Sequence, residues 1–211
     1  MKMAFIGYGN VGAPLADHLQ RLGHQVTLAA KDAHSESVQK ARALNPALQV
    51  AEPVSAISDA QVVFLATPFN VAGETLQTLQ TVLKGKIVVD CTNPVGAGLT
   101  HGLNSTQSGS EYLQALIPDT ALVKAFTIYG FENFQDNRFP DSALKPAMLY
   151  CGNDKVAKET IGQLIEQLGW QALDVGGLNQ ALHLEHMTLM WIKLVRLQGR
   201  SPHLVWAALE R

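Results

Sequence analysis

The residues with the plainest capacity for chemistry open the chain: Gly7-Tyr8-Gly9-Asn10-Val11-Gly12. They follow a short apolar run, residues 3–6, and lead into Val11, Leu15, Leu19 and Leu22 at helical spacing. Glycine at position 7 permits a tight turn from strand to helix. Gly9 lets the main chain come close to a pyrophosphate, and Gly12 lets the helix pack closely on the strand. The first amides of that helix, with the positive end of its dipole, then face the phosphates. The glycine spacing alone is weak evidence. The strand before it, the amphipathic helix after it and a second strand about twenty residues on make nucleotide binding by this turn the expectation.

The end of the second apolar run selects the nucleotide. NAD sites place an acid there for the ribose 2′-hydroxyl, and NADP sites favour a cation for the 2′-phosphate. The chain reads Val26-Thr27-Leu28-Ala29-Ala30-Lys31-Asp32-Ala33-His34-Ser35. Lys31 as a point charge, with the Ser35 hydroxyl beside it, suits a phosphate, so NADP is expected. A register one or two residues away would make Asp32 an NAD ribose ligand instead.

Three later strand ends carry polar or turn residues: Ala66-Thr67-Pro68, Cys91-Thr92-Asn93-Pro94 and Phe126-Thr127. In an open parallel sheet, strand ends of this kind line one crevice. Ala66, Thr67 and Pro68 are expected beside the ribose and nicotinamide, and Asn93 and Thr127 to orient a carboxamide or the acceptor. No nucleophile elbow, phosphate-loop lysine or acid pair stands out, so no catalytic residue is named. A nicotinamide nucleotide site needs none, because the cofactor carries the chemistry. His183, Glu185 and His186 lack a recognised zinc spacing, and no metal site is expected. Cys91 and Cys151, the only cysteines, exclude a disulfide framework and read as small buried hydrophobes.

The positioning elements follow from periodicity. Brief apolar runs at residues 3–6, 26–29, 62–66, 87–89, 121–126, 147–151 and 172–175 alternate with amphipathic stretches. Continuous apolarity is what a strand covered on both faces requires. The fold class is therefore α/β: a Rossmann-type doubly wound, mostly parallel sheet of about eight strands with a short C-terminal helical extension. Residues 1–178 are assigned to the nucleotide-binding domain and 179–211 to C-terminal helices packed on it or on a partner subunit. Pro14 sits in the first turn of the first helix and Gly23 after its last. In a second helix, Val156, Ile161, Leu164, Ile165 and Leu168 are expected to face inward, with Gly169 as the stop. Residues 96–110 read as a long loop. Residues 129–146, with Phe131, Phe134 and Phe139, read as a loop closing on a ligand, and Tyr129, Phe131, Phe134 and Trp191 as possible pocket walls.

The 211 residues are long enough for a sizeable core, with 47% hydrophobic residues. Lys and Arg number 16 against 18 Asp and Glu, a net charge of −2, which supplies no electrostatic footprint for nucleic acid or an anionic membrane. No run reaches the roughly 18 apolar residues of a membrane span, and the N-terminus passes into a strand without a leader's apolar region. The chain reads as soluble, globular and cytoplasmic. The segment from Met187 to Leu197 is apolar nearly all round, so a homodimer is expected.

These residues together resemble the NADP-dependent oxidoreductases of the coenzyme F420 type. That family takes in F420H2:NADP oxidoreductase, bacterial dinucleotide-binding enzymes and the N-terminal domain of STEAP metalloreductases. The resemblance rests on the glycine turn, Gly23-His24-Gln25-Val26, Ala29-Ala30-Lys31, Ala66-Thr67-Pro68, the segment Gly85-Lys86-Ile87-Val88-Val89-Asp90-Cys91-Thr92-Asn93-Pro94, and Val123-Lys124-Ala125-Phe126-Thr127. It extends to Cys151-Gly152-Asn153-Asp154 and Leu184-Glu185. It implies hydride transfer between NADP(H) and a flavin-like or F420-like acceptor. Ala30 and Lys31 replace the family's Ser and Arg, and Thr127 stands where the family often has Asn. Two other functions remain open: a non-catalytic NADP(H)-sensing module, and a reductase of a small metabolite.

Overall fold

A computed structural model of the chain describes residues 1–139 and 142–211. Strands and helices alternate along it: β1 (Lys2–Ile6), α1 (Gly12–Arg21), β2 (Gln25–Ala29), α2 (Glu36–Leu44), β3 (Gln49–Ala51), α3 (Pro53–Asp59), β4 (Val62–Leu65), α4 (Phe69–Leu83) and β5 (Ile87–Asp90). The second half adds α5 (Gly109–Leu116), β6 (Ala121–Lys124), α6 (Glu132–Gln135), β7 (Ala147–Gly152), α7 (Lys155–Gln167), β8 (Gln171–Asp174) and α8 (Ala181–Ile192). The eight strands form one sheet in the order β3-β2-β1-β4-β5-β6-β7-β8. All pairings are parallel except β6 with β7, which runs antiparallel through Val123 opposite Gly152 and Lys124 opposite Cys151. Strand order reverses between β1 and β4, where Ile6 pairs with Leu65. A ligand crevice belongs outside the carboxyl ends there.

The chain ends its helices as the glycines suggest. Gly23 has φ +90°, its N–H reaches Gln20 O and that of His24 reaches Leu19 O. Gly169 closes α7 in the same way, with φ +91° and a bond from Trp170 N to Ile165 O. Ile161, Leu164 and Ile165 are buried, but Val156 is 69% exposed. It lies in the first turn of α7, on the rim of a cavity it shares with Ile87 and Leu122.

Two expectations about loops and aromatics are corrected. Residues 96–110 are not all loop. A 3-10 turn forms at Ala97–Leu99, and α5 begins at Gly109 behind a capping box in which Ser108 and Glu111 bond each other's backbone. The Ser-x-x-Glu pattern was legible and marks that start. Phe134, Tyr129 and Trp191 are core residues. Phe5 stacks on Phe64 at 4.5 Å, Phe64 meets Phe126, Phe126 meets Phe134, and Phe134 and Tyr129 both pack on Trp170. Burying these rings in the sheet's helix-covered face leaves only half-buried Phe131 and Phe139 near the surface of that loop. Its residues 140–141 lie outside the described residues. In the segment from Met187 to Leu197, expected to pack on the same domain or on a partner subunit, Met190 is 56% and Leu197 64% exposed.

Candidate functional site

The glycine turn is built by exclusion. Gly7 has φ +90°, and a Cβ there would lie 2.6 Å from the Ala66 backbone, so β1 and the start of the β4–α4 turn touch only because the side chain is missing. A Cβ on Gly12 would overlap the Gly7 carbonyl oxygen. Gly9 differs: a Cβ there meets nothing within 4 Å, and the residue faces open space beside exposed Asn10. No side chain caps α1 at Val11. The turn therefore offers an uncapped helix N-terminus and a bare glycine facing outward, a combination that suits a phosphate. A cavity of about 400 Å³ opens alongside, lined by Tyr8, Gly9, Asn10, Ala13, Ser37 and Lys40.

At the end of β2, Ala30 is buried and Lys31 exposed. Asp32 is turned back on its own loop, its Oδ1 accepting from His34 N at 2.8 Å. Lys40 is paired with Glu36 at 2.6 Å. Ser35 stands at the N-cap of α2 without using its hydroxyl to cap the helix. Lys31 and Ser35 thus both lie in the β2–α2 turn, with the Ser35 hydroxyl 3.4 Å from that of Ser37.

Ala66, Thr67 and Pro68 follow β4 and run directly into α4, with Pro68 at its N-cap. Thr67 Oγ1 and Thr127 Oγ1 are buried with no hydrogen-bond partner. Burying a hydroxyl unpaired costs about 1–3 kcal/mol, so a ligand that pairs with either of these two recovers that cost. Thr127 follows Phe126, a buried non-glycine residue with φ +55°. Such a backbone costs about 1–3 kcal/mol and concentrates at functional sites. Asn93, half-buried beyond β5, sits on the Thr188 hydroxyl at 3.1 Å. The thirteen sequence-derived positions thus fall along the carboxyl ends of β1, β2, β4, β5 and β6. A larger cavity, about 960 Å³, lies at the opposite end of the sheet around Lys86, Gln114, Asp119 and Asn153, away from all of them.

Sequence reasoning missed the charged cluster behind this edge. Asp90 and Lys124 are opposite one another at the ends of β5 and β6, and both are fully buried. Asp90 accepts from Thr92 N and Oγ1, from Ser110 Oγ and from Lys124 Nζ at 3.3 Å. Lys124 also lies 3.1 Å from Glu185 Oε1. Glu185 accepts from Gly109 N and pairs with His101 Nε2 at 2.7 Å. His101 Nδ1 accepts the backbone N–H groups of Leu103 and Ser105, which places its proton on Nε2, facing Glu185. Burial works against the Lys124 ammonium, but the Asp90 and Glu185 carboxylates outweigh it and hold its pKa above the ordinary lysine value. The legible signal was a lysine and an aspartate each ending an otherwise apolar strand.

Glu185 is consequently a structural anion. His186 is exposed and lies 2.9 Å from Ser105 Oγ. Cys91 is buried, and burial with the neighbouring Asp90 charge raises its thiol pKa far enough to keep it protonated at neutral pH. Cys151 is pushed up to about 12 by burial.

Sheet order, switch point and glycine turn define a Rossmann-type doubly wound protein with its crevice between β1 and β4. Within that class, residues 2–94 match the family described as "NADP oxidoreductase coenzyme F420-dependent". Rat metalloreductase STEAP3 is 30% identical over 189 residues, 89% of this chain; the chain spans only 36% of that protein's length. The F420-dependent NADP reductase of Methanocaldococcus jannaschii is 28% identical, with 92% of each chain covered. The crystal structure of a putative F420-dependent NADP reductase from an Arthrobacter species superposes with a TM-score of 0.82 at 27% identity, covering 94% of this chain and 95% of the other. The resemblance read from the motifs is thereby shown, and it runs well past the matched N-terminal half.

Proposed function

We propose that the chain is an NADP(H)-dependent oxidoreductase that passes hydride between nicotinamide and a flavin-like or F420-like acceptor. The observation that carries this reading is the bare outward face of Gly9 at the uncapped start of α1. The relatives named as NADP reductase and metalloreductase support it. The nicotinamide ring supplies the hydride. The chain's part is to bind and orient. Gly7, Tyr8, Gly9, Asn10, Val11 and Gly12 receive the pyrophosphate on main-chain amides, and Lys31 with Ser35 receives the 2′-phosphate. Ala66, Thr67, Pro68, Asn93 and Thr127 frame the nicotinamide end. The 1–178 portion does the binding, and residues 179–211 brace it.

Calorimetric titration with NADPH and NADH tests the reading. Wild type should favour NADPH, and Lys31→Ala should weaken NADPH about tenfold, the worth of roughly one charge-assisted contact, while leaving NADH unchanged. An unchanged NADPH preference removes Lys31 from the site. Tight binding without turnover of FMN or a ferric chelate would make the chain a binding module instead.

We further propose a cytoplasmic homodimer, supported by exposed Met190 and Leu197 on the C-terminal segment and by two buried, unpaired cysteines. Sedimentation velocity at micromolar concentration should give a dimer that Leu197→Glu dissociates. A monomer at that concentration removes it.

A further inference from the structure

The edge of the crevice is held from behind by a side chain that does not line it. Thr188, on α8, is 4% exposed. Its Oγ1 lies 3.1 Å from Asn93 Oδ1, 3.0 Å from the Thr127 carbonyl oxygen and 3.0 Å from Leu184 O of its own helix. A helical threonine ordinarily bonds back to its i−4 carbonyl and stops there. This one also reaches the ends of two different strands. The Thr188 hydroxyl has one proton to give and two lone pairs to offer, so it can hold a carbonyl and the Asn93 amide together, and anchoring the Thr127 carbonyl fixes the residue whose buried hydroxyl has no partner among the described residues.

The helix that carries Thr188 is itself pinned. Glu185, three residues earlier and so on the same face, is bonded by Lys124 of β6, by His101 and by the first amide of α5. Buried charges tolerate little displacement, because a shift of an ångström leaves a carboxylate unpaired. Hydroxyl, amide and carbonyl therefore keep a set geometry before any ligand arrives.

We propose that Thr188 is a positioning residue for the nicotinamide end of the cofactor, acting through the Asn93 amide and Thr127 Oγ1 as a pre-set polar pair. The proposal rests on the NADP(H) reading above and adds a residue to it. Isothermal titration of the whole protein compares NADP⁺ with adenosine 2′,5′-bisphosphate, which lacks the nicotinamide half. Thr188→Val should raise the Kd for NADP⁺ about fivefold, as loss of one hydrogen bond implies, and leave that for the bisphosphate unchanged. Thr188→Ser should restore NADP⁺ binding, and the emission of bound NADPH should fall in the valine variant alone. Should the valine variant fail to fold, Asn93→Ala takes its place with the same two ligands, and the same selective loss is expected. Where both fold, their effects should not add, since one acts through the other. Wild-type NADP⁺ affinity in both Thr188→Val and Asn93→Ala, an equal loss for both ligands, or additive effects would overturn the proposal and leave the NADP(H) reading standing. Failure of wild type to bind either ligand would instead end that reading and this proposal with it.

Discussion

Three glycines of one motif do not share one reason to be glycine. Gly7 and Gly12 are forced by neighbouring backbone, whereas none of the described residues occupies the space where a Gly9 side chain would go. The contrast makes a prediction at the residue scale. Gly9→Ala should keep the wild-type melting temperature and lose NADP⁺ affinity about tenfold or more, about 1.4 kcal/mol, because its methyl takes the place of a phosphate oxygen. Gly12→Ala should instead be destabilised by about 1–3 kcal/mol through overpacking against Gly7. Differential scanning fluorimetry beside calorimetry separates the two; a Gly9→Ala protein that binds normally would mean that the phosphates lie elsewhere.

Among elements, the β5–β6 edge shows how a buried charge set can anchor a site without touching ligand. Lys124 sits between two carboxylates with no solvent, joining β5, β6 and α8, while His101 and Gly109 bring in the following loop and α5. Lys124→Met should cost about 3–5 kcal/mol in urea unfolding, because it leaves Asp90 and Glu185 without their cation. Adding Asp90→Asn and Glu185→Gln should recover part of that loss. If Lys124→Met alone were neutral, the cluster would not be what holds α8. Lys124 lay within a segment already read as a family motif. The helix that completes its environment is some sixty residues further on, so its partner Glu185 could not be inferred from local pattern.

For the whole molecule, burial pushes several titrating groups in one direction. The thiols of Cys91 and Cys151 and the hydroxyl of Tyr129 are raised by burial, and Lys124 is raised by its carboxylates in spite of burial. In each case the folded state keeps a proton that the unfolded chain gives up, so stability falls as pH rises. For Cys151 the loss begins near the ordinary thiol value of 9.0 and continues to about 12. Across that window the Cys151 thiol removes about 1.4 kcal/mol per pH unit, and Tyr129 and Lys124 add to the loss only above their own ordinary values of 10.0 and 10.5. Melting temperature should therefore hold from pH 7 to 8.5 and drop steadily above 9, with a shallower drop in Cys151→Ala. A flat profile to pH 11 would contradict the buried assignment of these groups.

Periodicity and glycine placement determined the layer architecture, the nucleotide turn and the helix ends, because those depend on contacts between residues near in sequence or on one face of one element. The five strand ends that frame the crevice were legible for the same reason: each is punctuated by its own turn chemistry. The short strand β3, the reversal of β7, the placement of the aromatic residues and the clasp of α8 on Asn93, Thr127 and Lys124 were decided only in three dimensions. Phe134 and Tyr129 have the composition of pocket walls, yet Trp170 buries them; Val156 has the periodicity of a core residue, yet it is exposed in the first turn of α7. Side-chain type sets what a residue can do, but which distant partner removes its water, and so whether it does it, is a property of packing.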